Sequence, residues 1–540
     1  MALTLSQPVP AREGLVRTAP ASRWQLGLLL LLALLPALMA VLKYQALASN
    51  WFDLGLFETD FHNLLQPGGH GHAFYGHAQP LMPLYAWLYQ ASGAPGILAL
   101  QGLSLTLPAL WLWRHYGFLP ALACLLYYPL WVNALFDFHF DHLAVPLLCG
   151  FYLAYERGRI GWAVVWALAL CLVKEPFALQ TAACGLFLYW RAWLGRREAG
   201  VGRLLAAGTL LVLAGFGWFY IATHWLIPYF TGSHGGLDAG AFAWLGNGLG
   251  AMLKTLATQP WLLLLEPLQT PGKLVYLAVI FGLLAGLPLL RPGWLIPALP
   301  PLAIAMLARS ENYYSYGNHY TAGLIVPLMV AFAHGLAWLE RRWRGRGRSL
   351  RALYLPLVLL LLAGHALFTS SPIGRLFWSD KVWSYRKEAY LSDARSERIK
   401  SALLRHVPAD PTRTVAVQNP LNWGHLPRRH GYFAFPDAVL APKPLPDWSQ
   451  HDLAGLYRFV TDGTAAPSPL GEPRWADYVV LDMRRPWFVL DRGCDWRYDR
   501  CHDQTVAARY LDAVAQTRRR YAVVHEDDGF LILQRNAVTP

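Results

Sequence analysis

The chain has 540 residues, of which 55% are hydrophobic and only 15% charged, and its formal net charge is +13. Apolar stretches recur from Trp24 to about Phe368, which excludes a soluble globular protein because such a protein cannot bury that much apolar surface. The basic residues form short runs between the apolar stretches, which excludes a nucleic-acid-binding face and is typical of the positive-inside distribution in membrane proteins.

The N-terminal segment, residues 1–23, is basic and precedes a leucine-rich run from Trp24 to Val41. A signal peptide has the same order of regions, and small residues near Ala46 and Ala48 would permit its cleavage. Because the run is longer than the apolar core of an ordinary signal peptide, we predict an uncleaved first membrane helix. Both interpretations export the segment that follows.

The remaining apolar stretches predict a polytopic α-helical membrane protein with about eleven transmembrane helices. Several stretches are shorter than the roughly 20 residues of a perpendicular span, so partly re-entrant hairpins are an alternative. Residues 80–89 and 251–265 are predicted to form interfacial or half-inserted helices. The predicted spans are residues 24–44, 96–113, 118–134, 142–155, 160–173, 176–193, 204–224, 273–290, 293–308, 320–339 and 351–369.

The loops that carry most of the Lys and Arg residues predict the orientation of the chain. Counting spans from a cytoplasmic N-terminus places each of these loops in the cytoplasm, as the positive-inside rule requires. We therefore predict a multi-pass protein of the cytoplasmic (inner) membrane, with a transmembrane domain over residues 24–373 and a large first outer loop over residues 45–80. The basic loops are residues 1–23, Arg114, and residues 156–159, 191–203 and 341–351.

The C-terminal part, residues 374–540, is predicted to be an extracytoplasmic soluble α/β domain. Its apolar runs have strand length and alternate with turns and charged stretches. Cys494 and Cys501 have a spacing that a disulfide can close in an oxidising compartment. The remaining cysteines lie in apolar segments and suggest no cofactor. The predicted strands are residues 414–418, 477–482, 521–525 and 530–534.

Candidate catalytic carboxylates lie in the first outer loop. Asp53 follows the first helix closely, and an apolar setting of this kind suits a general base or a metal ligand. A helix-capping role before the following apolar residues is the alternative for Asp53. Glu58 and Asp60 are further candidate catalytic residues in the same loop.

The same loop contains a candidate metal site. His70 and His72 have the alternate spacing that could place two imidazoles on one divalent metal ion, with Asp60 or His77 as the third ligand. His-x-His in a Gly-rich loop also occurs without metal, so a metal-free loop is the alternative. The only cofactor that the sequence suggests is thus a divalent metal ion.

A second polar segment, FDFHFDH, lies at the predicted outer end of a pair of helices. An extended backbone would place Asp137, His139 and Asp141 on one side, whereas a helix would pair Phe138 with His142. Ionisable groups between apolar spans favour a functional site. Structural bonds from carboxylates to histidines are the alternative.

Two further polar segments are predicted at the same face of the membrane. Lys174 and Glu175 lie in a turn between apolar helices and form either an interfacial charge pair or a site for an anionic head group. Arg309 and His319 precede a later helix and could form a phosphate-binding corner. An ordinary interfacial belt of aromatic residues is the alternative for this last segment.

Four sequence passages resemble the DUF2079 family of predicted bacterial and archaeal membrane proteins. They are FDLGLFE at 52–58, GHAQPLMPLY at 76–85, FDFHFDHLAVPL at 136–147 and LVKEPFAL at 172–179. Residues 316–328 and segments of the tail also resemble the family, so most of the chain is covered. The chain departs from the family pattern at Thr59, Gly424 and Pro427, which affects fine specificity more than membership.

The DUF2079 family in turn resembles the GT-C superfamily of membrane glycosyltransferases, which use polyprenyl-phosphate sugars. This resemblance implies transfer of a hexosyl or pentosyl group outside the cytoplasmic membrane to an acceptor that the sequence does not identify. It also implies that an acidic residue of the first outer loop is a base or metal ligand. Asp53 occupies the matching position.

Transfer from a lipid phosphate needs a carboxylate that accepts the proton of the acceptor hydroxyl and cations that hold the departing phosphate. With Asp53 as the base, the candidates for the phosphate side are Lys174, His139, His142 and Arg309. Further candidates for substrate binding are His77, Asp137, Asp141, Glu175 and His319, with His425 and Arg428 in the tail as candidates for holding the acceptor.

A non-enzymatic transporter or lipid-handling protein, in which the same charges line a path, is the alternative function, and a catalytically silent assembly factor is a third. A transporter is expected to have ionisable residues at mid-membrane depth or a pair of inverted halves. The sequence shows neither, which favours the enzyme.

Overall fold

A computed structural model of the protein describes residues 22–49, 51–65, 72–74, 76–196, 200–231, 239–246, 248–379, 386–410, 413–418, 425–426, 432–434, 476–484, 494–495, 500–501, 514 and 517–536. The chain divides into two compact units, and each is described by itself. The first unit contains residues 1–38, 71–83 and 99–374, and the second contains residues 39–70, 84–98 and 375–540.

Helices dominate the described residues. Many begin after a glycine or a short 3₁₀ turn or have a proline in their first turn, so long apolar stretches of the sequence are divided into shorter helices. The α-helices are α1 (Arg23–Gln45), α2 (Leu56–Leu64), α3 (Met82–Thr106), α4 (Pro108–Tyr116), α5 (Phe118–Leu126), α6 (Tyr128–Leu135), α7 (Ala144–Glu156), α8 (Ile160–Ala169), α9 (Glu175–Leu194), α10 (Val201–Ile221), α11 (Ile227–Thr231), α12 (Ala239–Phe242), α13 (Leu249–Thr258), α14 (Leu262–Gln269), α15 (Pro271–Gly282), α16 (Leu299–Leu307), α17 (Ala322–Arg344), α18 (Arg351–Phe368) and α19 (Ala394–His406).

Five helical segments of the described chain are long and apolar enough to cross a membrane. The pair α5 and α6, bent by 47°, makes a sixth if it counts as one span. The chain is therefore a polytopic α-helical membrane protein, as expected, while the number of about eleven spans stays a prediction. The five segments are Arg23–Gln45, Met82–Tyr116, Val201–Phe230, His319–Arg344 and Arg351–Phe368.

The segment Met82–Tyr116 is divided at Gly93. Residues 80–89 were expected to form a half-inserted helix and residues 96–113 a separate span, and the helical backbone of α3 is interrupted between these two ranges. Gly93 has a φ of 63°, which is not helical, and Pro95 follows it. A glycine with a positive φ ends one helical segment, and a proline in a first turn begins the next.

The second unit contains a mixed five-stranded sheet with the order β2-β1-β3-β7-β6. β1 pairs in parallel with β2 and β3, and β7 runs antiparallel to β3 and β6. Apolar residues of these strands pack against Leu403 of α19, which forms an α/β core. The strands are β1 (Val415–Val417), β2 (Tyr432–Ala434), β3 (Tyr478–Asp482), β4 (Cys494–Asp495), β5 (Arg500–Cys501), β6 (Tyr521–Asp527) and β7 (Phe530–Arg535).

The strands β4 and β5 form a separate antiparallel pair in which Cys494 is directly opposite Cys501. This register is compatible with a bridge between the two residues, but their side chains lie outside the described part of the chain. The disulfide thus stays a prediction, as do the domain boundaries at residues 23 and 374.

A buried ion pair stabilises the core of the second unit. The Arg395 guanidinium donates to both carboxylate oxygens of Asp482, at 2.9 and 2.7 Å, and the two side chains are only 10% and 3% exposed. We expect Arg395→Met to lower the unfolding free energy by about 3 kcal/mol, because it leaves a buried carboxylate without its partner. Arg398→Met, which breaks an exposed pair with Asp527, is the matched control and should cost under about 1 kcal/mol. Equal losses in chemical denaturation would contradict this account.

Candidate functional site

Most of the polar residues singled out in the sequence lie at the ends of helices in the first unit. His77 precedes α3, the segment 136–143 joins α6 to α7, Lys174 precedes α9, and His319 precedes α17. Helix ends leave backbone groups without partners, so polar side chains are favoured there. The first unit therefore contains a polar cluster made from segments far apart in the sequence.

Gln101 of α3 holds the segment between α6 and α7. Its side-chain amide donates to the carbonyl of Asp137 at 2.6 Å, and its carbonyl oxygen accepts from the backbone N–H of His139 at 2.8 Å. The backbone at the start of this segment is strained, since Asp137 has a φ of 110°. A strained residue that its surroundings hold in place is a frequent sign of a functional site.

His139 and His319 form a stacked pair of imidazole rings. Their ring centres are 3.5 Å apart and their planes differ by 20°. Phe136 and Tyr320 pack on His319 at 5.0 and 4.2 Å. The Nδ1 atom of His319 is buried, and it has no hydrogen-bond partner among the described residues. His77, His139 and Lys174 all lie close enough to His319 to act on it electrostatically.

Glu175 binds the segment that precedes α3. One carboxylate oxygen accepts from His77 Nδ1 at 2.8 Å, and the other accepts from the backbone N–H of Ala78 at 2.9 Å. Lys174 is only 8% exposed, and no described residue forms a hydrogen bond or ion pair with its ammonium group. Lys174 and Glu175 are close enough to interact electrostatically, but both hydrogen-bonded oxygens of Glu175 are directed to other groups.

The segment 139–143 contains features of both expected conformations. His139 is extended and residues 140–143 form a 3₁₀ turn, while the rings of Phe138 and His142 meet at 5.6 Å. His142 Nδ1 donates to the carbonyl of His139, so His142 braces this turn. The Oδ2 atom of Asp141 is buried and finds no partner within the described chain, which leaves this carboxylate oxygen available to a ligand.

Arg309 belongs to a different cluster from the one expected. Its Nε atom lies 3.6 Å from Glu266 Oε1, and its guanidinium lies 4.7 Å from the ring centre of Trp244. The fully buried Lys273 donates to the same Glu266 oxygen at 3.2 Å. Arg309 thus shares a carboxylate with Lys273, and the predicted phosphate-binding corner between Arg309 and His319 stays a prediction.

The predicted catalytic carboxylates lie in the second unit. Asp53 is half-buried in the π-helical turn Trp51–Gly55. It does not cap α2, because Gly55 occupies the N-cap position and no side chain bonds there. Glu58 is buried and accepts from the Tyr89 hydroxyl at 3.0 Å, which indicates a structural contribution. Burial raises the pKa of Asp60 to about 7, a value that suits a general base near neutral pH.

The candidate metal ligands fall largely outside the described residues. This is the case for His70 and for the side chain of His72, so their relation to Asp60 stays a prediction. Within the described part of the chain, no group of three His, Cys, Asp or Glu side chains is arranged to hold a metal ion.

In the tail, His425 packs on the end of α1. Its ring stacks on Tyr44 with centres 4.2 Å apart, and its Nε2 atom donates to the Tyr44 carbonyl at 3.1 Å. Burial lowers the pKa of His425 to about 4, which keeps the imidazole neutral. These contacts favour an anchoring role for His425 over the predicted role in holding an acceptor. The other tail candidate, Arg428, lies outside the described residues.

Sequence reasoning missed a second buried cluster in the first unit. Glu156 at the end of α7 is bonded to His115 of α4, and its other oxygen lies 2.6 Å from Nε2 of His334 in α17. Glu156 begins the basic loop at residues 156–159, and this loop was interpreted only as a sign of the orientation of the chain in the membrane. The signal that could have found His334 was an ionisable residue inside an apolar span.

The chain is similar to a known family in sequence and to two solved structures. A family model described as "Predicted membrane protein (DUF2079)" matches residues 43–422. No curated protein matches the sequence. Among solved structures, two crystal structures of ArnT from Cupriavidus metallidurans are similar to the chain, one bound to undecaprenyl phosphate and one in the apo state.

The likeness to these two structures is distant. The lipid-bound structure is 16% identical over 95% of this chain and 98% of that one, with a TM-score of 0.46. The apo structure is 14% identical over 94% of this chain and 97% of that one, with a TM-score of 0.39. Values this low carry no conclusion about fold or function.

Proposed function

Because the chain belongs to the DUF2079 family of predicted membrane proteins and holds a buried lysine whose ammonium group has no hydrogen bond or ion pair among the described residues, we propose that it is a membrane glycosyltransferase. It transfers a sugar from a polyprenyl-phosphate donor to an acceptor on the extracytoplasmic side of the inner membrane. The resemblance of the family to the GT-C superfamily supplies the reaction type, and the cluster around Lys174 supplies the chemistry for binding a phosphate.

Lys174 is the observation that carries this proposal. A buried ammonium group is costly unless an anion neutralises it, and Glu175 is occupied by His77 and Ala78. A lipid phosphate provides the missing negative charge. The buried Nδ1 of His319 adds a hydrogen-bonding group, and the ring of His139 stacked on it fixes its orientation.

The remaining polar residues of the first unit position this phosphate site. Gln101 fixes the backbone on both sides of Phe138, and the bond from His142 holds the turn that follows. The Oδ2 atom of Asp141 accepts a hydrogen bond from a hydroxyl group of the sugar or of the acceptor. Phosphate binding therefore rests on Lys174, with the neighbouring segments held in place by backbone contacts.

In the proposed reaction, the oxygen of the acceptor hydroxyl attacks the anomeric carbon of the donor sugar. A new glycosidic bond forms while the bond from the anomeric carbon to the phosphate oxygen breaks, and the polyprenyl phosphate leaves with the electron pair. A carboxylate accepts the hydroxyl proton, a role assigned to Asp53, with Asp60 as the alternative. The ammonium group of Lys174 stabilises the negative charge that develops on the leaving phosphate.

Asp53→Asn tests the assigned base. The amide cannot accept the proton, so we expect loss of the glycosylated product by about 10²-fold or more with no change in the amount of protein in the membrane. Product and membrane protein are quantified in cells that carry only the variant. Asp410→Asn, a change at an exposed carboxylate of the same unit, is the matched control. Unchanged product levels in Asp53→Asn would remove Asp53 as the base and leave Asp60 to be tested in the same way.

A further inference from the structure

A second cationic site surrounds Arg191, in the last turn of α9. Its Nε atom donates to the Tyr155 hydroxyl at 2.6 Å. The guanidinium carbon lies 5.7, 5.3 and 5.4 Å from the ring centres of Tyr155, Trp190 and Trp294. These three aromatic side chains form a cage around one planar cation, and each ring attracts it.

The cage is held rigidly by its neighbours. Trp294 stacks on His334 with ring centres 3.8 Å apart and planes 13° apart, and His334 is fixed by Glu156. Trp190 packs directly on Gly293, where an added Cβ would lie 2.0 Å from the indole. Only a glycine permits this approach, so the position of Trp190 is built into the fold.

Arg191 keeps its positive charge available. No carboxylate of the described chain forms an ion pair with it, and Glu156, next to Tyr155, is already bonded to His115 and His334. Two exposed arginines, Arg157 and Arg159, lie in the loop directly after Glu156. A guanidinium that is held by its Nε edge and by its faces still has outer N–H groups, which suit two oxygens of a phosphate.

This site is distinct from the one around Lys174. Lys174 precedes the first residue of α9 and Arg191 lies in its last turn, so the rise of about 1.5 Å per residue separates them by about 25 Å. That distance approaches the thickness of the hydrocarbon layer of a membrane, about 30 Å. One phosphate cannot reach both cations, so the two sites bind separate ligands.

We propose that the Arg191 cage binds the phosphodiester head group of an anionic phospholipid. Trp193 and Leu194, which follow Arg191, are 62% and 52% exposed and would contact the acyl chains of the lipid. Free inorganic phosphate offers the same charge but makes no use of this apolar surface. Basic pockets beside helices of a membrane protein commonly bind doubly charged lipids such as cardiolipin.

The test uses the purified full chain in detergent, with cardiolipin, phosphatidylcholine and inorganic phosphate as separate probes and native mass spectrometry as the readout. We expect wild-type protein to bind cardiolipin in preference to phosphatidylcholine, and Arg191→Gln to weaken cardiolipin binding by about tenfold. Arg348→Gln is the matched control, because Arg348 is exposed and lies over one described ring, that of Trp343. It should bind cardiolipin as the wild type does.

Two further variants keep the proposal testable if Arg191→Gln fails to fold. Arg191→Lys retains the charge but loses the planar fork, and Tyr155→Phe releases the Nε edge; both should weaken cardiolipin binding. Equal binding in wild type and in every folded variant would overturn the proposal, as would inorganic phosphate displacing cardiolipin completely. Binding of polyprenyl phosphate should stay unchanged in these variants, so this test is independent of the proposed transfer reaction.

Discussion

Lys174→Met is expected to weaken binding of a polyprenyl phosphate by about 100-fold. Removing one partner of a desolvated charge pair costs about 2–5 kcal/mol. A 100-fold change in Kd corresponds to about 2.7 kcal/mol, which lies within this range. The same variant should leave the unliganded protein as stable as the wild type or more stable. The reason is that methionine removes a buried charge with no described counter-ion. Binding is measured in nanodiscs with the lipid phosphate alone, and stability from the midpoint of thermal unfolding.

Lys254→Met is the matched control for this experiment. Lys254 is an exposed lysine of the same unit, so its replacement should change neither measurement. A purely structural role for Lys174 predicts the opposite pattern, with a lowered unfolding midpoint and unchanged lipid binding. That pattern would remove Lys174 from the phosphate site.

Glu156→Gln is expected to lower the unfolding free energy by about 3 kcal/mol or more. Glu156 joins His115 of α4 and His334 of α17 to the end of α7, with side chains that are 6%, 11% and 9% exposed. Glutamine has one oxygen and one amide group, so it cannot accept a hydrogen bond from both imidazoles. Breaking a buried charged network by removing one partner costs about 3–5 kcal/mol.

The exposed Glu311 provides the control for this variant. Glu311→Gln should change the unfolding free energy by less than about 0.5 kcal/mol, as most surface substitutions do. Unfolding in mixed micelles with increasing denaturing detergent gives both values. Equal stability of the two variants would show that the bonds of Glu156 contribute little.

The secondary structure of the second unit could be predicted closely from its sequence. Strands expected at residues 477–482, 521–525 and 530–534 are observed as Tyr478–Asp482, Tyr521–Asp527 and Phe530–Arg535. Short apolar runs between turns indicate strands without any knowledge of the partner strand. The mixed pairing order could not be predicted, because it depends on contacts between residues far apart in the sequence.

Hydropathy predicted the helical membrane part but not the divisions within it. Pro108 begins α4 only two residues after α3 ends, and α5 and α6 meet at a bend of 47°. A sliding window averages over such breaks, so the pattern alone cannot tell one bent span from two short helices. At Gly93, in contrast, the glycine and the nearby proline indicated the interruption correctly.

Partners within the candidate site were harder to predict than its members. Lys174, His139 and His319 were selected as ionisable groups beside apolar spans, and they lie close together in the first unit. Sequence neighbours suggested that Lys174 pairs with Glu175, but Glu175 binds His77 instead. Such pairings follow from tertiary packing, which the order of residues along the chain does not reveal.

The contacts of Arg309 could not be predicted for the same reason. Arg309 shares Glu266 with the buried Lys273, while its phosphate-binding corner with His319 stays a prediction. A turn at Thr270 separates α14 from α15 and places Glu266 and Lys273 close together. Pro271, a favoured residue at the start of a helix, is the one sign of this turn in the sequence.

The measurement that tests the proposed function most directly is the release of free polyprenyl phosphate by the purified protein. The protein in nanodiscs is incubated with polyprenyl-phosphate hexoses and pentoses and with envelope extract as the source of acceptors, and the lipid products are measured by mass spectrometry. We expect release with at least one sugar donor, and loss of release in Asp53→Asn and Lys174→Met. Saturable lipid binding without release from any donor would contradict a glycosyltransferase and favour a lipid-handling protein.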